Sequence, residues 1–178
     1  AIGKFLDGLP RRTYAPWEIM RQMGKFLAEN PGIHKKRGSL IKTCFEEDVP
    51  IFCLGLTDSA FGMGSSYHQY RAALKGQKAV VIDTTREYSD MAKIKLASPT
   101  TGMLMIGGGV PKNHWQDTVI VAQGLLTTLR EEGKEDLLKK MGYHPTEAQP
   151  DEVPRHKYSV QITVADPRDG ACSSSTLQ

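Results

Sequence analysis

Gly102-Met103-Leu104-Met105-Ile106-Gly107-Gly108-Gly109-Val110-Pro111-Lys112-Asn113-His114 is the stretch whose reading decides the fold. A short apolar run bounded by glycines reads as a buried strand, and the segment from about His114 to Glu131 carries helical periodicity. Strand, glycine turn and helix in succession form the joint of an α/β protein. The same grammar recurs on both sides. Apolar runs at Pro50–Leu56, Lys78–Ile82 and Tyr158–Val164 alternate with helical segments at Ala60–Leu74 and Thr85–Leu96. Consecutive strand–helix–strand units with right-handed crossovers predict a parallel sheet with helices on both faces.

Further out, Pro16–Asn30 places Trp17, Met20, Met23, Phe26 and Leu27 on one helical face, and Pro31-Gly32 ends it. The expected organisation is one α/β domain: a helical lead-in over 1–48, strand–helix units over 49–132, an irregular excursion over 133–157, and a last strand and loop over 158–178. A short helix at Glu135–Met141 is compatible with the excursion. The 178 residues carry a net charge of +3, with 39% hydrophobic and 24% charged residues, as in soluble globular chains. No apolar run approaches the roughly 18 residues of a membrane span, and no secretory signal opens the chain. A cytoplasmic protein with reduced thiols at Cys44, Cys53 and Cys172 is expected. The short basic clusters Arg11-Arg12 and Lys35-Lys36-Arg37 lack interleaved aromatics, so nucleic acid is not an expected partner. Neither a metal-ligand cluster nor a hydrolase motif is present in the sequence.

In open parallel sheets ligands bind beyond the carboxyl ends of the strands. Those positions are Thr57-Asp58, Asp83, Gly107-Gly108-Gly109 and Ala165-Asp166. The triple glycine lets backbone amides approach a phosphate without an intervening Cβ, or serves as a tight turn. Lys112 opposes the dipole of the helix it begins, which an anion or a polar partner explains. Asp58 could bind a ribose hydroxyl or an ammonium group, or cap the following helix; Asp83 is read first as a cap. His114, near Lys112 and Asp117, could move protons at neutral pH. His34, His68, His144 and His156 are expected at the surface.

Taken together, these residues resemble the deoxyhypusine synthase family. The resemblance is carried by Pro50-Ile51-Phe52 leading into Leu56-Thr57-Asp58, by the Gly102–Asn113 block, and by Tyr158–Thr163 followed by Asp169-Gly170 and Ser173. It runs over nearly the whole chain and covers about the C-terminal half of a family member. It implies a Rossmann-like NAD-binding domain in a homotetramer with active sites at the dimer interface. There, NAD takes a hydride from spermidine, and an aminobutyl group passes through an imine on an enzyme lysine to an acceptor amine.

By position, the resemblance assigns Asp58, Gly108, Val164 and Ala165 to NAD, with Asp169 and Ser173 nearby; Gly107 and Gly109 belong to the same cofactor turn. Gly170, Ala171 and Cys172 fall where the family contacts the polyamine. Three departures stand out. Met63 occupies the place of a carboxylate for the substrate amine, Cys172 replaces another, and Asn113 stands where eukaryotic members carry a catalytic His. The adjacent His114 would substitute through a shifted geometry. Ala1 is not an initiator Met, and Gln178 precedes the Trp-Gly-Lys segment that carries the family's imine-forming lysine. Both ends are therefore expected to be cuts, and the piece alone to be inactive. The expected function is aminobutyl transfer from spermidine to putrescine, giving homospermidine, or to a protein lysine, giving deoxyhypusine. The alternative is a catalytically silent homologue that pairs with an active partner.

Overall fold

The computed structural model describes residues 2–33, 38–143 and 152–166. The chain divides into two compact units, Ala1–Glu87 and Tyr88–Gln178. In order, the elements are α1 (Ile2–Asp7), β1 (Thr13–Tyr14), α2 (Pro16–Glu29), α3 (Leu40–Glu46), α4 (Ala60–Leu74), β2 (Val81–Ile82), α5 (Thr84–Ala97), β3 (Gly102–Ile106), α6 (Val110–Glu131), α7 (Glu135–Lys140) and β4 (Tyr158–Ile162). The result is a mixed α/β chain with small parallel sheets.

In the first unit β1 and β2 pair in parallel, Thr13 opposite Val81 and Tyr14 opposite Ile82. Each strand feeds a helix. Asp83 accepts from the backbone N–H of Arg86 at 2.9 Å and so caps α5, as its position after a strand predicts. The first turn of α2 has a cap at longer range. The Glu87 carboxylate, fully buried, accepts from Trp17 N–H at 2.7 Å and from Cys53 N–H. A buried carboxylate at a helix N-terminus meets both unsatisfied amides and the positive end of the dipole. Leu6, Tyr14, Ile19, Met20, Leu56, Phe61 and Val80 form the core around these joints.

Two expectations are corrected in this unit. The run Pro50–Leu56 is not a strand: residues 51–53 are irregular and 54–57 turn. Its backbone is satisfied otherwise, through the Glu87 carboxylate and turn bonds from Leu56 N to Cys53 O and from Asp58 N to Gly55 O. Its apolar side chains still pack, with Ile51, Cys53 and Leu56 on the core. His68 is not at the surface; it is 1% exposed. Its Nε2 accepts from Val80 N–H at 2.9 Å, which puts the proton on Nδ1, 2.7 Å from Asp7 Oδ1. Arg71 donates to the other Asp7 oxygen at 2.7 Å. This cluster fastens α1 to α4 and to the segment entering β2.

In the second unit β3 and β4 pair in parallel over five residues, from Gly102 opposite Tyr158 to Ile106 opposite Ile162. The α6 crossover joins them. Ala92 and Leu96 of α5, Ala122 and Leu126 of α6, and Leu138 of α7 make the core with Tyr143 and Val153. Residues of the supposed irregular excursion thus supply part of the interior. Met103 is buried on one face of the sheet, while Leu104, Ile106, Val160 and Ile162 on the other are exposed. Among the described residues of this unit, then, one sheet face is covered and the other is open, where helices on both faces were expected. His156, expected at the surface, is half-buried. Among the described residues no helix is long and apolar enough to cross a membrane.

The His68 bond, with Arg71, holds the Asp7 carboxyl below the ordinary carboxylate value, against the effect of burial. A depressed folded-state value means stability that is present above the ordinary Asp value, near ~3.9, and is lost as pH falls through the lower folded one. Urea midpoints measured between pH 6 and pH 3 are expected to fall less steeply in Asp7→Asn than in the wild type.

Candidate functional site

The turn after β3 is built from the strand ends. Gly107 and Gly109 adopt φ of +96° and +85°, a region that side chains disfavour. Among the described residues nothing lies within 4 Å of where a Cβ would stand at either position. Conformation therefore demands glycine there, and among the described residues no side chain fills the space above the turn. Gly107 N–H donates to Ile162 O at 2.8 Å, extending the parallel ladder one residue into the turn. Gln161 Nε2 donates to Gly107 O at 2.8 Å, and its Oε1 accepts from Lys112 Nζ at 3.0 Å. Lys112 is only 7% exposed. The polar partner that its place at a helix start required includes the Gln161 amide.

Gly109 begins α6, a 22-residue helix, without a side-chain cap, and the first-turn residues Val110, Pro111 and Lys112, of which Pro111 has no N–H, stand at the turn. Beside them lies a pocket of ≈ 420 Å³, formed by β3 from Gly102 to Ile106, by Gly107 and Gly108, and by Pro111, Lys112 and Trp115. Val164 and Ala165 follow β4 at the same carboxyl edge; Val164 is fully exposed, and Ala165 N–H donates to Thr163 Oγ1 at 3.1 Å. The structure thus brings Gly107, Gly108, Gly109 and Lys112 to one place, with the end of β4 bonded to the turn. Trp115 and Gln161 join them and were not singled out in the sequence. The signal for Trp115 was its spacing, three residues from Lys112 on the same helical face.

The remaining candidates on α6 separate by helical phase. Asn113 is exposed. His114 turns its Nδ1 to Val110 O at 3.1 Å and its ring to Tyr88, 5.1 Å between centroids. Burial, then the charge of Asp117, raises the Tyr88 hydroxyl above its ordinary value. His114 and Asp117 therefore share the Tyr88 side, whereas Lys112 and Trp115 face the pocket.

In the first unit Asp58 is exposed and does not cap α4. Ser59 does, accepting from Phe61 N–H at 3.1 Å and Gly62 N–H at 3.4 Å. Gly62 is required because a Cβ there would lie 2.0 Å from Thr57 O. The Asp58 carboxylate is left available. Met63 is 60% exposed on the first turn of α4. Burial, then the charge of Glu87, pushes the Cys53 thiol up and keeps it protonated. Asp169, Gly170, Ala171, Cys172 and Ser173 lie outside the described residues.

Two substitution sets check this geometry. Ser59→Ala is expected to lower stability by about 0.5–2 kcal/mol in urea unfolding, whereas Asp58→Ala leaves it nearly unchanged. Gln161→Leu removes one hydrogen-bond partner from Lys112 and one from Gly107. The expected cost is about 1.5–3 kcal/mol by the same measurement.

Comparison with known proteins identifies the family. The family model described as deoxyhypusine synthase matches residues 1–178. A deoxyhypusine synthase-like protein of Caulobacter vibrioides is 42% identical over 99% of this chain and 41% of its own length. One from Coxiella burnetii is 41% identical over 99% of this chain and 42% of its own length. A probable deoxyhypusine synthase 2 of Archaeoglobus fulgidus is 33% identical over 81% of the chain and 38% of its own length. The chain spans about two-fifths of the length of these relatives. With the family model matched from end to end, the chain belongs to the deoxyhypusine synthase family.

Proposed function

We propose that the chain is part of an NAD-dependent aminobutyl transferase, in which β3, the glycine turn and the start of α6 hold the nucleotide. The observation that carries this reading is the ≈ 420 Å³ pocket at the carboxyl end of β3, within the range of about 300–1,000 Å³ of small-molecule sites. Its wall along β3 is apolar and Trp115 closes another side, which suits a flat heterocycle or a ribose face. Phosphates would approach the glycine turn, where no Cβ intervenes, and the first turn of α6, where the helix dipole favours negative charge. These features fit NAD, which when bound supplies a hydride acceptor.

The chain's own residues divide the remaining work. For Asp58, not spent on the α4 cap, the family resemblance implies a ribose contact. Gly107, Gly108 and Gly109 admit the phosphates, Val164 and Ala165 border the nucleotide, and the family resemblance implies cofactor roles for Asp169 and Ser173. Lys112 holds the turn through Gln161 and adds positive charge near it. His114, with Asp117 and Asn113, handles protons on the amine side, while Gly170, Ala171 and Cys172 border the polyamine. Met63, exposed where the family has a carboxylate, gives an amine no ionic partner, so recognition at that end differs from the usual pattern. The donor is spermidine, and the acceptor is putrescine or a protein lysine. The working assembly is a cytoplasmic homotetramer.

The full-length protein incubated with NAD, spermidine and putrescine is expected to yield homospermidine by mass spectrometry. Loss of the aromatic wall in Trp115→Ala is expected to weaken NAD binding about tenfold by calorimetry, the scale of one lost base–aromatic stack. A product found only on a protein lysine moves the assignment to deoxyhypusine formation. Neither product, together with no NAD binding, would defeat the reading.

A further inference from the structure

Four segments of the second unit meet beside the pocket through one run of polar atoms. Lys95 of α5 is completely buried, and its Nζ donates to Thr101 Oγ1 at 2.8 Å. Thr101 Oγ1 lies 2.8 Å from His156 Nδ1. The other ring nitrogen, Nε2, lies 3.3 Å from the backbone oxygen of Trp115 on α6. The imidazole also stacks on the Trp115 indole, 5.5 Å between centroids and 27° between planes. Lys157 N–H donates to Thr101 O at 2.8 Å, tying the approach to β4 to the approach to β3.

The sense of each bond follows from the groups themselves. A carbonyl oxygen only accepts, so Nε2 carries the proton. Nδ1 of the neutral ring then accepts from the Thr101 hydroxyl, whose oxygen accepts from the Lys95 ammonium. The run is polarised in one direction and holds one positive charge, at its Lys95 end. A proton on Nδ1 would reverse the Thr101–His156 bond and set a second cation two hydrogen bonds from the first.

Among the described residues only the Trp115 carbonyl favours that second charge. From α5 the ring is faced by Lys95, from α6 by the Trp115 carbonyl and indole, and from the β3 approach by the Thr101 hydroxyl. Its chain neighbours Arg155 and Lys157 are exposed cations, Lys157 lying over the Tyr158 ring. Among the described residues no carboxylate acts on it. Burial first, and the Lys95 charge with it, push the imidazole below its ordinary 6.5, against the pull of the Trp115 carbonyl. Burial pushes Lys95 down as well.

We propose that Lys95, Thr101 and His156 form a single-charge relay whose neutral imidazole is held between Thr101 and Trp115, and that protonating His156 breaks its bond from Thr101 and shifts the ring together with the Trp115 indole stacked on it, moving the pocket wall that the indole forms. The inference concerns these side chains alone and stands whatever ligand the pocket takes. Lys95 and His156 are positioning residues, acting on the pocket through Trp115. For a His whose folded-state value is depressed, the stabilising contribution is present above 6.5. It is lost as pH falls through the lower folded value.

The test is an NMR pH titration of the full-length protein. It follows the His156 C2–H signal, identified by its loss in His156→Asn, and the Trp115 indole N–H, identified by its loss in Trp115→Phe. Both are expected to shift with one common midpoint below 6.5. Lys95→Met should move that midpoint upward, and His156→Asn should abolish the indole transition. Should Lys95→Met fail to fold, Thr101→Val serves, since a neutral ring deprived of its donor also titrates higher. A wild-type midpoint at or above 6.5, a midpoint unmoved in the folded variant, or an indole transition that survives His156→Asn would each overturn the relay.

Discussion

The parallel pairing of β3 with β4 is the constraint from which the candidate site follows. Parallel strands cannot be joined by a hairpin, so the chain must cross over through α6, and both carboxyl ends then emerge at one edge. The ladder does not stop at the last strand residue. Gly107 N–H still reaches Ile162 O, while the Gln161 side chain grips the same glycine's carbonyl and the Lys112 ammonium. Positive φ at Gly107 and Gly109 then turns the chain into α6. An open pocket beside the first turn of α6 is the geometric consequence of that sequence of steps.

Buried polar groups serve as joints throughout. Glu87 bonds the first turn of α2 and the irregular segment at Cys53, His68 bridges Asp7 and Val80, and Lys95 meets Thr101. Taking such groups from water costs several kcal/mol unless hydrogen bonds replace the lost hydration. These joints therefore specify which elements meet more than they add net stability. They lie at strand–helix junctions or helix crossings, where a small displacement would separate the partners. Glu87 illustrates the trade. Its burial is offset by amides that would otherwise be unsatisfied, and its charge in turn raises the Cys53 thiol.

Much of the fold was legible in the sequence because periodicity and punctuation act locally. Ala60–Leu74 and Gly102–Ile106 fall within the bounds that apolar spacing and flanking glycines set, and α2 ends one residue early. Pro50–Leu56 failed because a short apolar run records burial, not strand pairing, and here its amides found a carboxylate distant in sequence. β1 is too short to show an alternating pattern, and α1 and α3 have one or two turns each. The site was legible at the glycine turn, whose chemistry is local, and illegible at Gln161, whose partners lie 49 and 54 positions away. Ser59 displaced Asp58 as the cap of α4 because both residue types suit the role, and only the backbone shows which one begins the helix.

The division of α6 into two faces constrains any mechanism at this site. Residues two apart on a helix point about 200° from each other, so Lys112 and His114 cannot serve one small cavity together. Lys112 and Trp115 border the pocket, whereas His114 and Asp117 meet Tyr88 of α5. A proton donor on the Tyr88 side cannot act on a molecule lying wholly within the β3 pocket. A reaction using both must therefore extend its substrate around the start of α6, past Asn113, which is exposed between the two faces.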